Sequence, residues 1–209
     1  SGSICETGGI IKTGSGRLKI TSSNTYTGPT IINGGILEIP GLTDAGTPGP
    51  IGSASAIADN FIVNNATIDI TGISSSTNRG LSLGNSWGYI RIANPDGNVS
   101  FTGEITGNGM LIKTGSGTLS LSAANTYQGG THLKEGRIYL GNDIANIDGL
   151  GAGLITIENG TLEMFNNVNS YTENCSWDII VPEGYVANLI LDSRCSLTGS
   201  LTGNGTLNV

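Results

Sequence analysis

The chain has 209 residues and a formal net charge of −7, and its nine lysine and arginine residues are spread singly. This distribution excludes the basic surface that nucleic-acid-binding proteins need, and no apolar run approaches the roughly 18 residues of a membrane helix. Charged residues make up only 12% and glycine occurs 34 times. Short apolar clusters nevertheless recur, which indicates many short strands and tight turns rather than disorder.

The first predicted strands lie between residues 11 and 39. Ile-Lys-Thr-Gly-Ser-Gly at residues 11–16 is followed by an apolar alternation at residues 17–20 and by Asn-Thr-Tyr-Thr-Gly at residues 24–28. Residues 31–39 form two more alternating stretches, separated by Asn and Gly. Alternation with a period of two predicts strands, and Gly and Asn tolerate the left-handed backbone of a sharp corner.

The same strand–corner–strand pattern continues along the chain. Residues 40–58 are rich in Gly, Pro and Ser, which predicts an extended loop. Beyond this loop the pattern recurs at residues 61–70 and again at residues 155–164. No segment shows a sustained period of 3.6 residues, so we predict almost no helix.

A long internal repeat is the most informative feature. Residues 112–117 repeat the Ile-Lys-Thr-Gly-Ser-Gly segment, and residues 125–129 read Asn-Thr-Tyr-Gln-Gly, each 101 residues after its counterpart. Weaker echoes follow at changing offsets, which indicates that the copies differ by loop insertions. We therefore predict one solenoid domain over residues 1–209, built from two long repeats at residues 1–107 and 108–209.

Two architectures accommodate such a pattern, a meander of antiparallel hairpins and a solenoid of stacked coils. The strand motif recurs about every 20 to 25 residues, which suits stacked coils better than two-residue hairpins. We predict an all-β parallel β-helix of about ten coils with one continuous core. At about 4.8 Å between neighbouring strands, it would be a rod roughly 50 Å long.

The two motif pairs also resemble a known family. Ile-Lys-Thr-Gly-Ser-Gly-x-Leu followed by Asn-Thr-Tyr-x-Gly, over residues 6–39 and 107–140, is similar to the autotransporter-associated β-strand repeat. That repeat occurs in passenger regions of bacterial autotransporters and in other large bacterial surface proteins. The resemblance implies a right-handed parallel β-helix and an extracellular or cell-surface location. It is specific for the repeat and does not name a function.

The sequence predicts a non-catalytic role, that of a structural or adhesive segment such as a stalk or passenger module that needs no cofactor. His132 is the only histidine, so a Ser-His-Asp or Cys-His arrangement would require it. The first copy carries Ile31 at the corresponding position, which favours a structural role for His132. Parallel β-helices also host polysaccharide lyases and hydrolases, but the Asp and Glu residues here are mostly single rather than clustered for acid–base chemistry.

Three aromatic residues are candidates for glycan binding. Trp87 and Trp177 each follow a serine and precede an apolar strand, so we expect them on one face, with Tyr89 nearby. Exposed aromatic rings can stack on sugar rings; the alternative is that these side chains fill the core or cover a corner. A carbohydrate-binding module, with glycans or host-surface components as partners, is thus the alternative to a purely structural segment.

The remaining candidates are acidic residues and cysteines. Asp143 and Asp148 lie in a loop whose spacing resembles a calcium loop without its closing Glu, so they are weak metal candidates and a solvated loop is favoured. Cys175 and Cys195 are about one coil apart, and stacked positions would bring their Cα atoms within disulfide range. The spacing is compatible with a disulfide, which an exported protein allows, or with two stacked thiols.

The sequence stops inside a repeating pattern, so we expect the chain to be a segment of a longer protein. Coils at both ends of such a segment carry unpaired strand edges. Because unpaired edges accept other strands, we predict end-to-end self-association of the chain. We predict no insertion of this segment into a membrane, since it lacks a long apolar run.

Overall fold

Short parallel strands and tight corners make up the part of the chain that the structure describes. A computed structural model describes residues 2–142, 149–166, 173–191 and 195–209. The strands in chain order are β1 (Ile10–Lys12), β2 (Arg17–Lys19), β3 (Thr30–Ile32), β4 (Ile36–Ile39), β5 (Phe61–Val63), β6 (Ala66–Ile70), β7 (Ser74–Thr77), β8 (Leu81–Ser82), β9 (Trp87–Ile92), β10 (Asn98–Phe101), β11 (Ile105–Thr106), β12 (Met110–Thr114), β13 (Thr118–Leu121), β14 (Thr131–Asn142), β15 (Ile155–Asn166), β16 (Glu173–Cys175), β17 (Ile179–Ile180), β18 (Val186–Leu191), β19 (Cys195–Leu197), β20 (Leu201–Thr202) and β21 (Thr206–Asn208).

These strands stack as a parallel β-solenoid of about eight turns, which confirms the predicted fold class. One sheet has five strands in the order β1-β3-β5-β8-β11. A second, 14-stranded sheet contains two stacks, which the long strands β14 and β15 join across a corner, and β16 pairs with β19 in a third sheet. In the described part of the chain the single helical element is a 3-10 turn at Ala58–Asn60.

The register sets the length of each turn. Thr131 pairs with Leu111 on one side and with Ile155 on the other, so successive turns take 20 and 24 residues. Thr30 pairs with Phe61, so the turn that carries the loop at residues 40–58 takes 31. The predicted ten coils are therefore too many, because the loop residues leave the coil without adding a turn.

The core is a set of rows that run along the axis. One row on the 14-stranded sheet joins Leu37, Ile68, Ile90, Lys113, Leu133 and Ile157, each from a successive turn and each at most 1% exposed. Alternate residues of each strand point inward, and stacking places every inward side chain against one from the next turn. No turn has a closed core of its own, so the turns stabilise one another.

Counterpart strands of the two copies lie on different sides of the solenoid. Strand β12 is the counterpart of β1, but it lies in the 14-stranded sheet next to β9, whereas β1 starts the five-stranded sheet. The copies are thus separated by a whole number of turns plus one further side of the solenoid. Within the described residues no helix is long and apolar enough to cross a membrane.

Candidate functional site

The lysine of the Ile-Lys-Thr-Gly-Ser-Gly motif is a buried corner residue in both copies. Lys12 Nζ donates to the carbonyl oxygens of Thr13, Gly14 and Gly34 at 2.9–3.3 Å. Lys113 Nζ does the same in its own corner, at 2.6–3.2 Å, and its third acceptor is again the carbonyl of the next turn. Each ammonium group therefore ties two turns together, and burial lowers the pKa of Lys113 to about 8.

The Asn-Thr-Tyr motif forms a second kind of corner. Asn125 Oδ1 accepts the backbone N–H of Ile105 and its Nδ2 donates to the Gly149 carbonyl, which links three turns. The fully buried Tyr127 hydroxyl lies 2.6 Å from Thr131 Oγ1. Asn24, Tyr26 and Thr30 make the equivalent contacts in the first copy. The shared motif residues are thus architectural, and no ligand chemistry needs to be invoked for them.

Arg79 is a buried cation that the sequence analysis did not single out. Its guanidinium donates to five carbonyl oxygens of the loop at residues 40–58, namely those of Thr43, Asp44, Thr47, Gly52 and Ala54, at 2.9–3.3 Å. It is 2% exposed, and no carboxylate within the described ranges forms an ion pair with it. Burial lowers its pKa, and the nearby Tyr26 and Asp44 oppose this shift.

Charged residues on the outer surface are paired across turns. Asp69 on β6 is 2% exposed and binds Arg17 and Arg91 at 2.7 Å, one from each side along the axis. Glu38 binds Arg17 at 2.6 Å and Lys19 at 2.7 Å. These ion pairs and hydrogen bonds raise the pKa of Arg17 and lower that of Glu38. The network occupies the cations, so it offers no free positive site to an acidic ligand.

His132 lies on the outward face of β14. Its Nε2 is 2.8 Å from Glu158 Oε1, and Lys134 Nζ lies 3.8 Å from the same oxygen. In the described part of the chain no Ser or Cys side chain is hydrogen-bonded to the imidazole, so the elements of a nucleophilic triad do not meet here. No group of three His, Cys, Asp or Glu among these residues could hold a metal ion.

The predicted aromatic face is only partly formed. Trp87 begins β9 on its outward side, and its ring meets that of Tyr89 edge to face at a centroid distance of 5.0 Å. Trp177 instead points inward with Ile179 and Val181 and is 7% exposed. The prediction that Trp177 shares an exposed surface with Trp87 is therefore wrong, because Trp177 packs in the hydrophobic core just before β17. Glycan binding by Trp87 and Tyr89 remains a prediction.

Trp87 forms one wall of a groove of about 390 Å³ at the corner between the first two sheets. Its other lining residues are small or polar: Gly14, Ser15, Asn33, Gly34, Gly35 and Asn65. Asn65 has a left-handed backbone, φ 53°, and its N–H donates to the Trp87 carbonyl at 2.8 Å. Sequence reasoning found the tryptophan but missed the asparagines, because only stacking brings residues from several turns to one corner.

The acidic and cysteine candidates of the sequence analysis remain predictions. Asp143 and Asp148 lie outside the described residues. Cys195 pairs in register with Glu173, and Cys175 with Leu197, so the two cysteines are offset by two positions rather than directly opposite. Cys175 is buried and Cys195 is partly exposed. The disulfide between them remains a prediction.

The repeat matches a known family of protein repeats. Residues 10–39 and 111–139 match the passenger-associated-transport-repeat family, so the chain carries two copies of a passenger-type repeat, as the resemblance implied. The chain is 34% identical over 138 residues to the adhesin BmaC autotransporter of Brucella suis biovar 1 (strain 1330). It is 41% identical over 73 residues to an extracellular serine protease of Serratia marcescens. No solved structure matches the chain significantly.

Each match covers a much larger share of this chain than of the relative. The adhesin match spans 66% of this chain and 4% of the adhesin, and the protease match spans 34% of this chain and 6% of the protease. The chain therefore spans only a small part of each relative, and it is a β-solenoid segment that carries two passenger-type repeats.

Proposed function

We propose that this chain is a non-catalytic spacer, a rigid segment that holds other parts of a bacterial surface protein away from the cell. The observation that carries the proposal is the corner chemistry that both copies share. Lys12 and Lys113 each bind carbonyl oxygens of two turns, and Asn24 and Asn125 join neighbouring turns through both ends of their amides. Such ties resist separation of the turns along the axis.

The absence of a catalytic role is part of the same proposal. His132 contacts Glu158, which also lies near Lys134, on an open sheet surface where water is not excluded. The similarity to a serine protease covers only a third of this chain, and the protease's activity is not carried over with it. The reverse result, hydrolysis of a peptide or polysaccharide by the purified chain, would overturn this part of the proposal.

A replacement experiment tests the spacer role in the parent protein. The coding region for this chain is exchanged for an unrelated β-solenoid with about eight turns, and in a second strain it is deleted. A spacer predicts that adhesion or activity of the remaining protein survives the exchange and falls on deletion. Loss of function in both strains, with equal surface levels, would show that this segment itself carries the binding site.

We also propose that the protein is secreted or surface-exposed. The names of its relatives, an autotransporter and an extracellular protease, support this location. Labelling of intact cells with an antibody against the chain tests it. Staining only after the cells are permeabilised would contradict it.

Association through the terminal turns is a further expectation of the spacer. Leu201 on β20 is half exposed at the last turn, and Ile11 on β1 is exposed at the first. Light scattering of the purified chain over a range of concentrations tests whether copies associate. A constant monomer mass at the highest concentration would remove this expectation.

Carbohydrate binding is the second candidate function, favoured by the groove beside Trp87. An aromatic wall with neutral polar residues beside it is the composition expected of a sugar site. Retardation of the wild-type chain in gels that contain a polysaccharide tests this candidate. If no polysaccharide changes the migration of the chain, carbohydrate binding is rejected and only the spacer proposal stands.

A further inference from the structure

We propose that the groove at Trp87 is a binding site for a neutral oligosaccharide, with the indole as the stacking surface and Asn33 and Asn65 as hydrogen-bonding residues. This inference rests on the carbohydrate-binding candidate described above and names its site. It goes beyond that candidate by assigning the polar partners, the charge class of the ligand and its direction on the solenoid.

The indole is held in place before any ligand arrives. The Trp87 carbonyl accepts the N–H of Asn65 at 2.8 Å, and the ring packs edge to face on Tyr89 with an interplanar angle of 83°. In the next turn, Met110 of β12 is the register partner of Trp87. A ring that is already ordered loses little conformational freedom when a sugar stacks on it, which favours binding.

The polar groups of the groove are available to a ligand. Asn33 and Asn65 are exposed, and within the described ranges neither side-chain amide has a hydrogen-bond partner. An amide offers both donors and an acceptor, the combination that neighbouring sugar hydroxyls need. Gly34 and Gly35 lie between them without side chains, so a ligand can approach the backbone closely.

The groove favours a neutral ligand because none of its lining residues carries a charged side chain. Arg17 directly follows the Gly14–Gly16 corner, but its Nη1 is engaged by Glu38 at 2.6 Å and Asp69 at 2.7 Å. A uronic acid or a sulfated sugar would therefore be desolvated here without a free cation to bind it.

The spacing of the turns suggests how the ligand lies. Asn33 and Asn65 belong to adjacent turns, since Ile32 pairs with Val63 in the register. Neighbouring turns are about 4.8 Å apart, which is comparable with the length of one pyranose unit. A linear glycan that runs along the solenoid axis thus presents successive sugars to successive turns, and its end meets Trp87.

The second copy shows that the groove is not required by the fold. Its corner carries Lys134 and Glu135 where the first copy has Asn33 and Gly34, although the neighbouring corner lysine is retained. The architecture therefore accepts charged residues at these positions. Of the two motif corners, only that of the first copy forms a neutral groove beside an aromatic ring.

The test compares variants of the whole chain by affinity electrophoresis and by fluorescence titration. The probes are neutral linear oligosaccharides of glucose, mannose, galactose and N-acetylglucosamine, with uronic-acid and sulfated oligosaccharides as charged counterparts. At least one neutral probe should bind the wild type. Trp87→Ala should weaken that binding by about tenfold or more, as expected for loss of a stacked ring.

Further variants separate binding from folding. Asn65→Gly removes the amide and keeps the left-handed backbone, and Asn33→Ala removes the other amide; each should weaken binding severalfold. Tyr139→Ala is the matched control, because Tyr139 is an aromatic residue on β14 that lies beneath Arg137. This substitution should leave binding unchanged. Circular dichroism and thermal melting verify the fold, and Trp87→Tyr, which keeps a ring, should retain part of the affinity.

Each alternative result has a distinct meaning. Equal binding by the wild type and by Trp87→Ala and Asn65→Gly would overturn this site while leaving carbohydrate binding elsewhere on the chain. No binding of any probe would overturn both the site and the carbohydrate-binding candidate. Preference for the uronic or sulfated probes would overturn the assignment to neutral ligands.

Discussion

Replacing Arg79 by methionine removes a side chain that binds the loop at residues 40–58 at five points. Methionine has a similar length and no charge, so it fills much of the space but removes the guanidinium from five carbonyl oxygens. Four of these oxygens each keep one other donor, namely those of Thr43, Asp44, Thr47 and Ala54. In the described part of the chain, that of Gly52 loses the guanidinium without such a replacement. The oxygens of Gly52 and Ala54 lie in buried hydrogen bonds, whereas those of Asp44 and Thr47 are nearer to solvent.

The magnitude follows from this count. A hydrogen bond from a charged donor contributes about 1.5–3 kcal/mol, and the contributions are not additive when water replaces the donor. Allowing the outer carbonyls to be hydrated, we expect Arg79→Met to lower the free energy of unfolding by about 3–5 kcal/mol. Arg79→Lys keeps the charge but cannot span five acceptors, so its effect should be intermediate.

Urea denaturation followed by circular dichroism measures the loss, and hydrogen exchange locates it. The N–H of Gly46 bonds to Ala54, and that of Ser53 bonds to Tyr26, so protection of both amides should fall. Arg91→Met is the control, because Arg91 is 45% exposed and should cost less than about 1 kcal/mol. Stability of Arg79→Met within about 1 kcal/mol of the wild type would refute the reasoning.

Three further predictions concern the corners and the cysteines. Burial raises the pKa of Tyr127, so its contribution to stability is present below pH 10 and is lost as the pH rises above it; absorbance at 295 nm should show this tyrosine ionising together with unfolding. Gly136→Ala should cost about 2–4 kcal/mol in a urea titration, because its φ is 77° and a Cβ would overlap neighbouring carbonyls. Gly46→Ala, with φ 74° and open space, should cost about 1 kcal/mol. Alkylation of Cys175 and Cys195 should require reductant if they form a disulfide.

The contrary outcomes are equally specific. Ionisation of all the tyrosines near pH 10 in the folded chain would contradict the burial argument for Tyr127. Equal costs for the two glycine substitutions would mean that close approach of the turns does not matter at Gly136. Mass spectrometry that finds both cysteines alkylated without reductant would exclude the disulfide.

Much of the fold could be predicted because its signals are local. The alternation at residues 31–39 appears as β3 and β4 around a glycine corner, and Gly35 has the left-handed φ of 66° that such a corner needs. The spacing of the motifs was too long for hairpins, and the structure is parallel throughout its strand pairs. The number of turns was overestimated because the turn that carries the loop at residues 40–58 takes 31 residues, more than the 20 to 25 assumed for every coil.

The candidate site was harder to predict because it is assembled from several turns. Trp87 and Trp177 have the same local context, a serine before and an apolar strand after, yet one points outward and the other inward. A shift of one residue in a strand exchanges its two faces, and only the stacking against neighbouring turns selects between them. The contribution of Asn33 and Asn65 to the groove was invisible for the same reason.

The sequence by itself determined the all-β class, the two-copy repeat and the positions of its corners, since these depend on residue alternation and on backbone freedom within a few residues. Only the tertiary structure decided that Lys12 points into the corner while Ile11 is 67% exposed, the reverse of a simple hydrophobic pattern. The reason is that the ammonium group finds a carbonyl of Gly34, 22 residues away, which exists only after the next turn is stacked. Burial of Arg79 follows the same principle, because its acceptors come from the loop of an earlier turn.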